Sequence, residues 1–495
     1  MKKTAKVLLA VLVIITVIAP LGAIMVSSFL IPPQYSDTFV GVLDEKLERL
    51  TSIEEEKIVI VGGSSVAFGI DSELMENELG RPVVNFGLYA ALGTKLMLDL
   101  SKAGIKKGDV VILAPELDAQ TLSLYFSAEN TLNAIDDDKS ILKYIPSEHY
   151  VSLFGGSWRF ASDKFSYWFN NNAPDPEGIY NADSFDEYLD IKEGLRPQNV
   201  MKRYYDPNTV IDLSPSIVSD DFIDYLNEYI AWCESQGASV FFTWCPINSA
   251  ALKEGTTNAT LSEFSSYIED NIDCEIISDL MDDYYGPIMD KAYFYDTNFH
   301  LNDAGVIRRS INLVNDIHLA LDDGEYCLLD LPDPPPLPEV NIRYDGFDEN
   351  EKYFTYELIK NELGEVISQK VVGLTEEGKA MTTLTLPVGI EGYIVTEIGA
   401  EVFKNSAVKT LIIPENSRCE TIGNGAFDGS AITKLYILKA YQNNGAPDDL
   451  IIPPASFPPL SSGFRIYVPS ADDYKSGYHW GDVANVNELL ITIEK

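Results

Sequence analysis

Between Lys57 and Leu321 short apolar runs alternate with helical patterns, and this alternation limits the fold more than any other feature of the chain. Lys57–Val61 (KIVIV), Val83–Asn85, Asp109–Ala114 (DVVILA), Ser239–Trp244 (SVFFTW) and Glu275–Ser278 read as strands. Helices are predicted over Ser72–Leu79, stopped by Gly80, over Leu92–Ala103, stopped by Gly104, over Asp221–Ser235, and over Asp303–Leu321. Apolar strands followed in turn by helices imply right-handed βαβ crossovers, and so an α/β fold with a doubly wound parallel sheet. On the last helix Ile307, Ile311, Val314 and His318 share one face. From about 122 to 215 the alternation lapses into a stretch rich in Tyr, Phe, Trp, Asn and Asp, predicted to be an insertion of irregular loops and short helices.

A chain of 495 residues exceeds what one ordinary core organises, so two or three domains are expected. Leu331–Pro338 (LPDPPPLP) is the clearest linker, because consecutive prolines favour an extended spacer. The α/β domain is therefore assigned to 33–330, the linker to 331–340, and a β-rich lead-in with repeats to 341–495. In the last region Ile398-Gly399 precedes Phe403 as Ile422-Gly423 precedes Phe427, and Leu411-x-Ile413 recurs as Leu435-x-Ile437. A weaker third copy contains Ile452 and Phe457. A period in the twenties with one L-x-I strand per unit marks a solenoid whose units bury one face by stacking, so Phe403 and Phe427 are expected in the core. The copies VTEIGAEVFKNSAVKTLIIPENS and CETIGNGAFDGSAITKLYIL resemble the BspA-like leucine-rich repeats of surface proteins, over roughly 384–480. That resemblance implies a surface-exposed recognition or spacer module, with a protein ligand as one possible partner.

Lys2, Lys3 and Lys6 precede an uncharged stretch from Val7 to Leu30, long enough as a helix to span a bilayer. The positive-inside tendency leaves the lysines cytoplasmic and places everything after Pro32 outside, so 1–32 is expected to be a single-pass membrane anchor. A cleaved signal peptide is the competing reading, and both export the chain. The formal net charge of −40 repels phosphate backbones and excludes nucleic acid as a natural partner. Cys233, Cys245, Cys274, Cys327 and Cys419 are scattered and form no CxxC pair, so they are expected to be small buried hydrophobes, and neither a metal nor a cofactor is expected. The run Asp136–Asp138 is expected to be a solvated face.

The first strand runs into Gly62-Gly63-Ser64-Ser65, with Gly69 just beyond. Glycines let the backbone bend sharply at a strand-to-helix turn, and a serine there projects at the carboxyl end of the sheet, where open α/β sheets bind ligands. A serine nucleophile needs a base. Of the four histidines, His300 sits in Tyr295–Gly305 (YDTNFHLNDAG) just before the last helix, with Asp296 near enough to orient it. Asn248, closing Cys245-Pro246-Ile247-Asn248 after a strand, is a further candidate to line the site.

These segments together resemble the SGNH (GDSL-like) hydrolase superfamily over about 56–321, the insertion excepted. Its first block, Gly-Asp-Ser with glycine four residues after the serine, corresponds to Gly63-Ser64-Ser65 and Gly69, which makes Ser65 the implied nucleophile and puts Ser64 in the aspartate position. The second block's oxyanion glycine corresponds to Gly87 in Asn85-Phe86-Gly87. The last block supplies Asp296 and His300, four residues apart here and three in the family. The third block has Glu116 where the family carries an asparagine. A membrane-anchored subgroup that handles acyl groups of envelope polymers is the closer likeness. The resemblance implies a serine esterase or O-acyltransferase acting on acyl esters, often acetyl, with a cell-envelope polysaccharide as the expected substrate. The alternative is a surface binding protein whose SGNH-like domain does not turn over.

Overall fold

The computed structural model describes residues 27–337 and 348–493, except 175, 177, 202–203, 207–208, 323–326, 361–365, 391, 424, 440–462, 472–473 and 475–485. The chain divides into two compact units between Pro338 and Glu339, within the predicted linker. The predicted anchor falls almost wholly on 1–26, outside the described residues. Among the described residues no helix is long and apolar enough to cross a membrane.

In chain order the first unit contains α1 (Leu43–Ser52), β1 (Ile58–Gly62), the one-turn α2 (Ser64–Ala67), α3 (Ser72–Leu79), β2 (Val83–Gly87), α4 (Thr94–Ser101) and β3 (Val110–Ala114). The insertion follows with α5 (Ala128–Ala134) and α6 (Tyr150–Asn170). Then come α7 (Asp220–Gln236), β4 (Ser239–Phe242), β5 (Ile247–Asn248), α8 (Asn258–Asn271), β6 (Glu275–Ile276), β7 (Ile288–Met289) and α9 (Asp303–Leu321). Strands β2-β1-β3-β4-β6 form one sheet in that order, parallel throughout. Alternation of side chains along a strand divides its core in two. Val59, Val61, Val84, Phe86, Val111 and Leu113 pack with α1, α4, α7 and α8. Ile58, Ile60, Val83, Val110 and Ile112 face α3 and α9. Helices thus cover both faces, as the apolar strands require.

Helix boundaries follow local chemistry. Asp71 caps α3 by accepting from Leu74 N, and Gly80 closes it in the left-handed region at φ 63°. Asn302 caps α9 by accepting from Gly305 N. The insertion departs from expectation, because α6 is a regular helix of 21 residues. Leu153, Ser157, Phe160, Ala161 and Lys164 give it a buried face at helical spacing.

The acidic run departs as well. Asp136 is buried, accepts from Gln34 N at 2.8 Å and pairs with the buried Lys164, so it is a core counter-ion and not a solvated group. Only Asp137 of that run is exposed. Removing one partner of a buried pair strands the other charge without compensation. Asp136→Asn is therefore expected to lower stability by about 3–5 kcal/mol, read as a fall in the urea midpoint.

The second unit opens with an antiparallel pair, β8 (Phe354–Lys360) and β9 (Val366–Leu374), followed by α10 (Glu376–Ala380). Strands β10 (Thr383–Thr385), β11 (Gly389–Ile390), β12 (Tyr393–Ile398), β13 (Thr410–Ile413), β14 (Thr421–Ile422), β15 (Lys434–Ile437), β16 (Arg465–Val468) and β17 (Leu490–Thr492) complete it. The internal repeat becomes register: Leu411 lies opposite Leu435, Ile413 opposite Ile437, and Ile398 opposite Ile422. Phe403 and Phe427 are buried and stack with centroids 5.6 Å apart, as the repeat predicts. Strands β10-β13-β15-β16-β17 form a continuous parallel ladder. The third copy, with Ile452 and Phe457, lies outside the described residues. All five cysteines are free, and all but Cys274 are buried.

Candidate active site

The strand order reverses at β1, which has β2 on one side and β3 on the other. At such a switch point the connections leave in opposite directions and open a crevice beyond the carboxyl ends of the strands. Register aligns Gly62 with both Gly87 and Ala114, so the ends of β1, β2 and β3 lie side by side. Gly63-Ser64-Ser65 follows β1, Gly87 ends β2, and Glu116 comes two residues after β3. A Cβ on Gly87 would come within 2.5–2.7 Å of Val66 Cβ, Ala67 N and Gly63 O, so no side chain fits there.

The loop before α9 brings His300 to this edge, and the side chain it meets is Ser64. His300 Nε2 lies 2.8 Å from Ser64 Oγ, and Nδ1 lies 2.8 Å from Asp296 Oδ1. The four-residue spacing closes because Thr297 Oγ1 accepts from the N–H groups of both Phe299 and His300, turning the backbone tightly. The Phe68 ring stacks on the imidazole with centroids 4.1 Å apart and planes 6° from parallel. Ser64, His300 and Asp296 are therefore aligned as hydroxyl, imidazole and carboxylate. Ser65, the serine implied by the family block, is fully buried and its Oγ has no hydrogen-bond partner.

Glu116 stands where an oxyanion would gather its donors. Its Oε1 lies 2.9 Å from Ser64 Oγ and accepts from Ser65 N at 2.6 Å. The N–H of Gly87 donates to Asn85 Oδ1 at 3.1 Å. The backbone N–H groups of Ser65 and Gly87 are thus both engaged by side chains of the chain itself. Burial pushes the Glu116 carboxyl above its ordinary range and Asp118 adds to the rise, while His300, the Ser65 N–H and the Ser64 hydroxyl pull it back. Asn248 lies elsewhere: its Nδ2 donates to Tyr204 O and its Oδ1 accepts from Ala250 N, which ties down a loop and leaves neither end for a substrate.

Ser64 Oγ carries one hydrogen and faces two partners, which allows two proton arrangements. In one, Ser64 donates to His300 Nε2 and Glu116 is an acid donating to Ser64 Oγ. In the other, Ser64 donates to an ionised Glu116 and His300 carries hydrogens on both nitrogens. The two hold the same number of protons and interconvert across the serine. Desolvation of Glu116 favours the first, in which the serine hydroxyl is poised toward its base.

The insertion contributes one residue that no local pattern marks. Tyr180 OH donates to Asp296 Oδ2 at 2.6 Å and lies 3.3 Å from His300 Nδ1. Burial, and then the Asp296 carboxylate, raise its pKa well above the usual phenol value, so it remains a donor. A hydrogen bond to a charged group contributes about 1.5–3 kcal/mol, so Tyr180→Phe is expected to lower kcat/KM about tenfold or more while leaving the protein folded. Among the described residues no cluster of His, Cys, Asp and Glu could hold a metal ion. No protein-family model matches the chain, and neither the curated proteins nor the solved structures yield a significant match.

Proposed function

We propose that the first unit is a serine acyl-ester enzyme of SGNH type, with Ser64 as nucleophile, His300 as base and Asp296 as the carboxylate that orients the imidazole. The observation that carries this reading is the unbroken line from Asp296 Oδ1 through His300 to Ser64 Oγ, with 2.8 Å at each step. Ser64 Oγ attacks the ester carbonyl carbon, and its proton passes to His300 Nε2. The tetrahedral oxyanion takes a hydrogen bond from Glu116 in its acid form, the role an asparagine fills in the family the sequence resembles. The intermediate collapses, the carbon–oxygen bond to the alcohol breaks, and that alcohol leaves with the proton from His300. Water, or the hydroxyl of an acceptor, then attacks the acyl-serine by the same route in reverse.

The uncharged stretch Val7–Leu30 behind Lys2, Lys3 and Lys6 supports an extracytoplasmic site tethered to the membrane. A tethered acyl-ester enzyme with leucine-rich repeats suits a cell-envelope glycan, with acetyl as the simplest acyl group. The test is p-nitrophenyl acetate hydrolysis by the full chain in detergent, beside Ser64→Ala and His300→Ala. Activity lost in both variants supports the reading, and equal rates in all three overturn it for simple esters.

One observation favours a second reading. The N–H groups of Ser65 and Gly87 are both occupied, which also suits a binding domain without turnover. Under that reading a Ser64→Ala chain keeps its full biological activity.

A further inference from the structure

Helix α6 has two apolar faces. Leu153, Phe160 and Ala161 face the core. Val151, Phe154, Trp158, Phe165 and Phe169 recur at intervals of three, four, seven and four residues, and at 100° per residue they form a second stripe. Phe154 and Phe169 are each 73% exposed and Val151 is 82% exposed, with Trp158 and Trp168 about half exposed. Phe169 stacks on Phe165 with centroids 6.1 Å apart and lies tilted against Trp168 at 5.0 Å, so the far end of the stripe is a continuous aromatic surface. The charged residues Arg159 and Asp163 lie on another side of the helix, paired with each other and, through Arg159, with Glu129. Large apolar residues exposed together on a stable helix mark a contact surface.

The chain itself indicates what covers this surface. The described structure begins at Ser27, the end of the uncharged Val7–Leu30 stretch, and its first residues are fastened to α6. Phe29 lies 5.9 Å from Phe160, and Tyr35 contacts both Phe160 and Tyr167. Wherever the apolar stretch enters a bilayer, α6 is held at the point of entry. Leu30, 82% exposed, continues the apolar surface there. Phe and Trp suit the boundary between headgroups and acyl chains. A second copy of a chain with net charge −40 is a poor occupant, because the copies repel one another.

We propose that α6 lies in the interface of the bilayer that the N-terminal stretch enters, with Phe154, Trp158, Phe165 and Phe169 among the acyl chains. This rests on the membrane-tether reading of Val7–Leu30. Docking fixes the first unit against the membrane, where a tether alone lets it swing. Arg159 is paired and Lys164 is buried, so attraction to anionic headgroups contributes little and zwitterionic lipid suffices.

The test places the full chain in phosphatidylcholine vesicles with brominated acyl chains, which quench tryptophan on contact. With Trp480→Phe in every chain compared, so that no tryptophan of the second unit reports, the chain is expected to float with the vesicles and to be quenched, and Trp158→Phe with Trp168→Phe removes most of that quenching, since Trp244 is buried in the core and Trp232 packs partly buried against it. Flotation without quenching, or quenching that survives both substitutions, overturns docking while the tether stands. A chain that does not float after alkaline washing overturns the tether and docking together. Phenylalanine keeps the face apolar, and unchanged melting of the double variant excludes misfolding as the cause.

Discussion

Ser64→Ala is expected to lower hydrolysis of p-nitrophenyl acetate by about 10⁴-fold or more, to the level left by the rest of the site, while Ser65→Ala keeps most of the wild-type rate. The two serines are adjacent, both are nearly inaccessible, and both open the same helical turn. Only one meets the base: Ser64 Oγ is 2.8 Å from His300 Nε2, whereas Ser65 Oγ has no partner. A proton that must leave Oγ as the bond to carbon forms needs an acceptor within hydrogen-bond reach. Ser65→Ala removes a buried hydroxyl that has no partner, a change that costs little and can even stabilise. The outcome that refutes the assignment is the reverse ranking, with Ser65→Ala dead and Ser64→Ala active. In that case the Gly63–Ser65 turn would have to rotate by about one helical position on binding substrate.

That the family block singles out Ser65 while His300 meets Ser64 is a matter of geometry. Successive residues on a helical turn project about 100° apart, and nothing in Gly-Gly-Ser-Ser records how that turn is rotated about its axis. The rotation is decided by groups distant in sequence, His300 and Glu116, that close on Ser64. Features fixed by neighbouring residues were legible. Asp71 and Gly80 bound the predicted helix Ser72–Leu79, and Asn302 starts Asp303–Leu321. The parallel sheet followed from apolar strands covered on both faces, and the repeat gave the pairing of Leu411 with Leu435. After Leu435 the next strand partner is Ile466, 31 residues on where the earlier step was 24, so the strict period ends.

The long α6 was hidden for a different reason. Gly155-Gly156, a pair that disfavours helix, falls in its second turn, and aromatics lie on both its faces, so no single apolar stripe stands out in the sequence. Tyr180 carries no local signal at all. Its partner Asp296 is 116 residues away, and only tertiary packing brings them together.

Glu116 gives the second large effect, and the direction depends on which proton arrangement works. If the acid form donates to the oxyanion, Glu116→Gln keeps a donor in the same shape and stays within about tenfold of wild type, while Glu116→Ala loses roughly 10²- to 10³-fold, the usual cost of one oxyanion donor. The pH profile separates this from a merely structural role. In the active form the Glu116–His300 pair shares one proton placed on Glu116, with His300 free to act as base. Removing that proton ionises Glu116, leaves a carboxylate against the oxyanion and stops the reaction on the alkaline side. Burial raises the Glu116 pKa and so moves that limb to higher pH than an ordinary carboxyl would give, with His300 opposing and Asp118 reinforcing. Cys245, the other titratable neighbour, is held as a neutral thiol by its own burial and does not contribute a charge. Wild type is therefore expected to lose kcat/KM on the alkaline side as Glu116 ionises, and Glu116→Gln to keep its rate there. An alkaline limb unchanged in Glu116→Gln refutes the acid donor. Loss in Glu116→Gln as large as in Glu116→Ala means the carboxylate itself is needed, and the working arrangement is then the doubly protonated imidazole between Asp296 and Glu116.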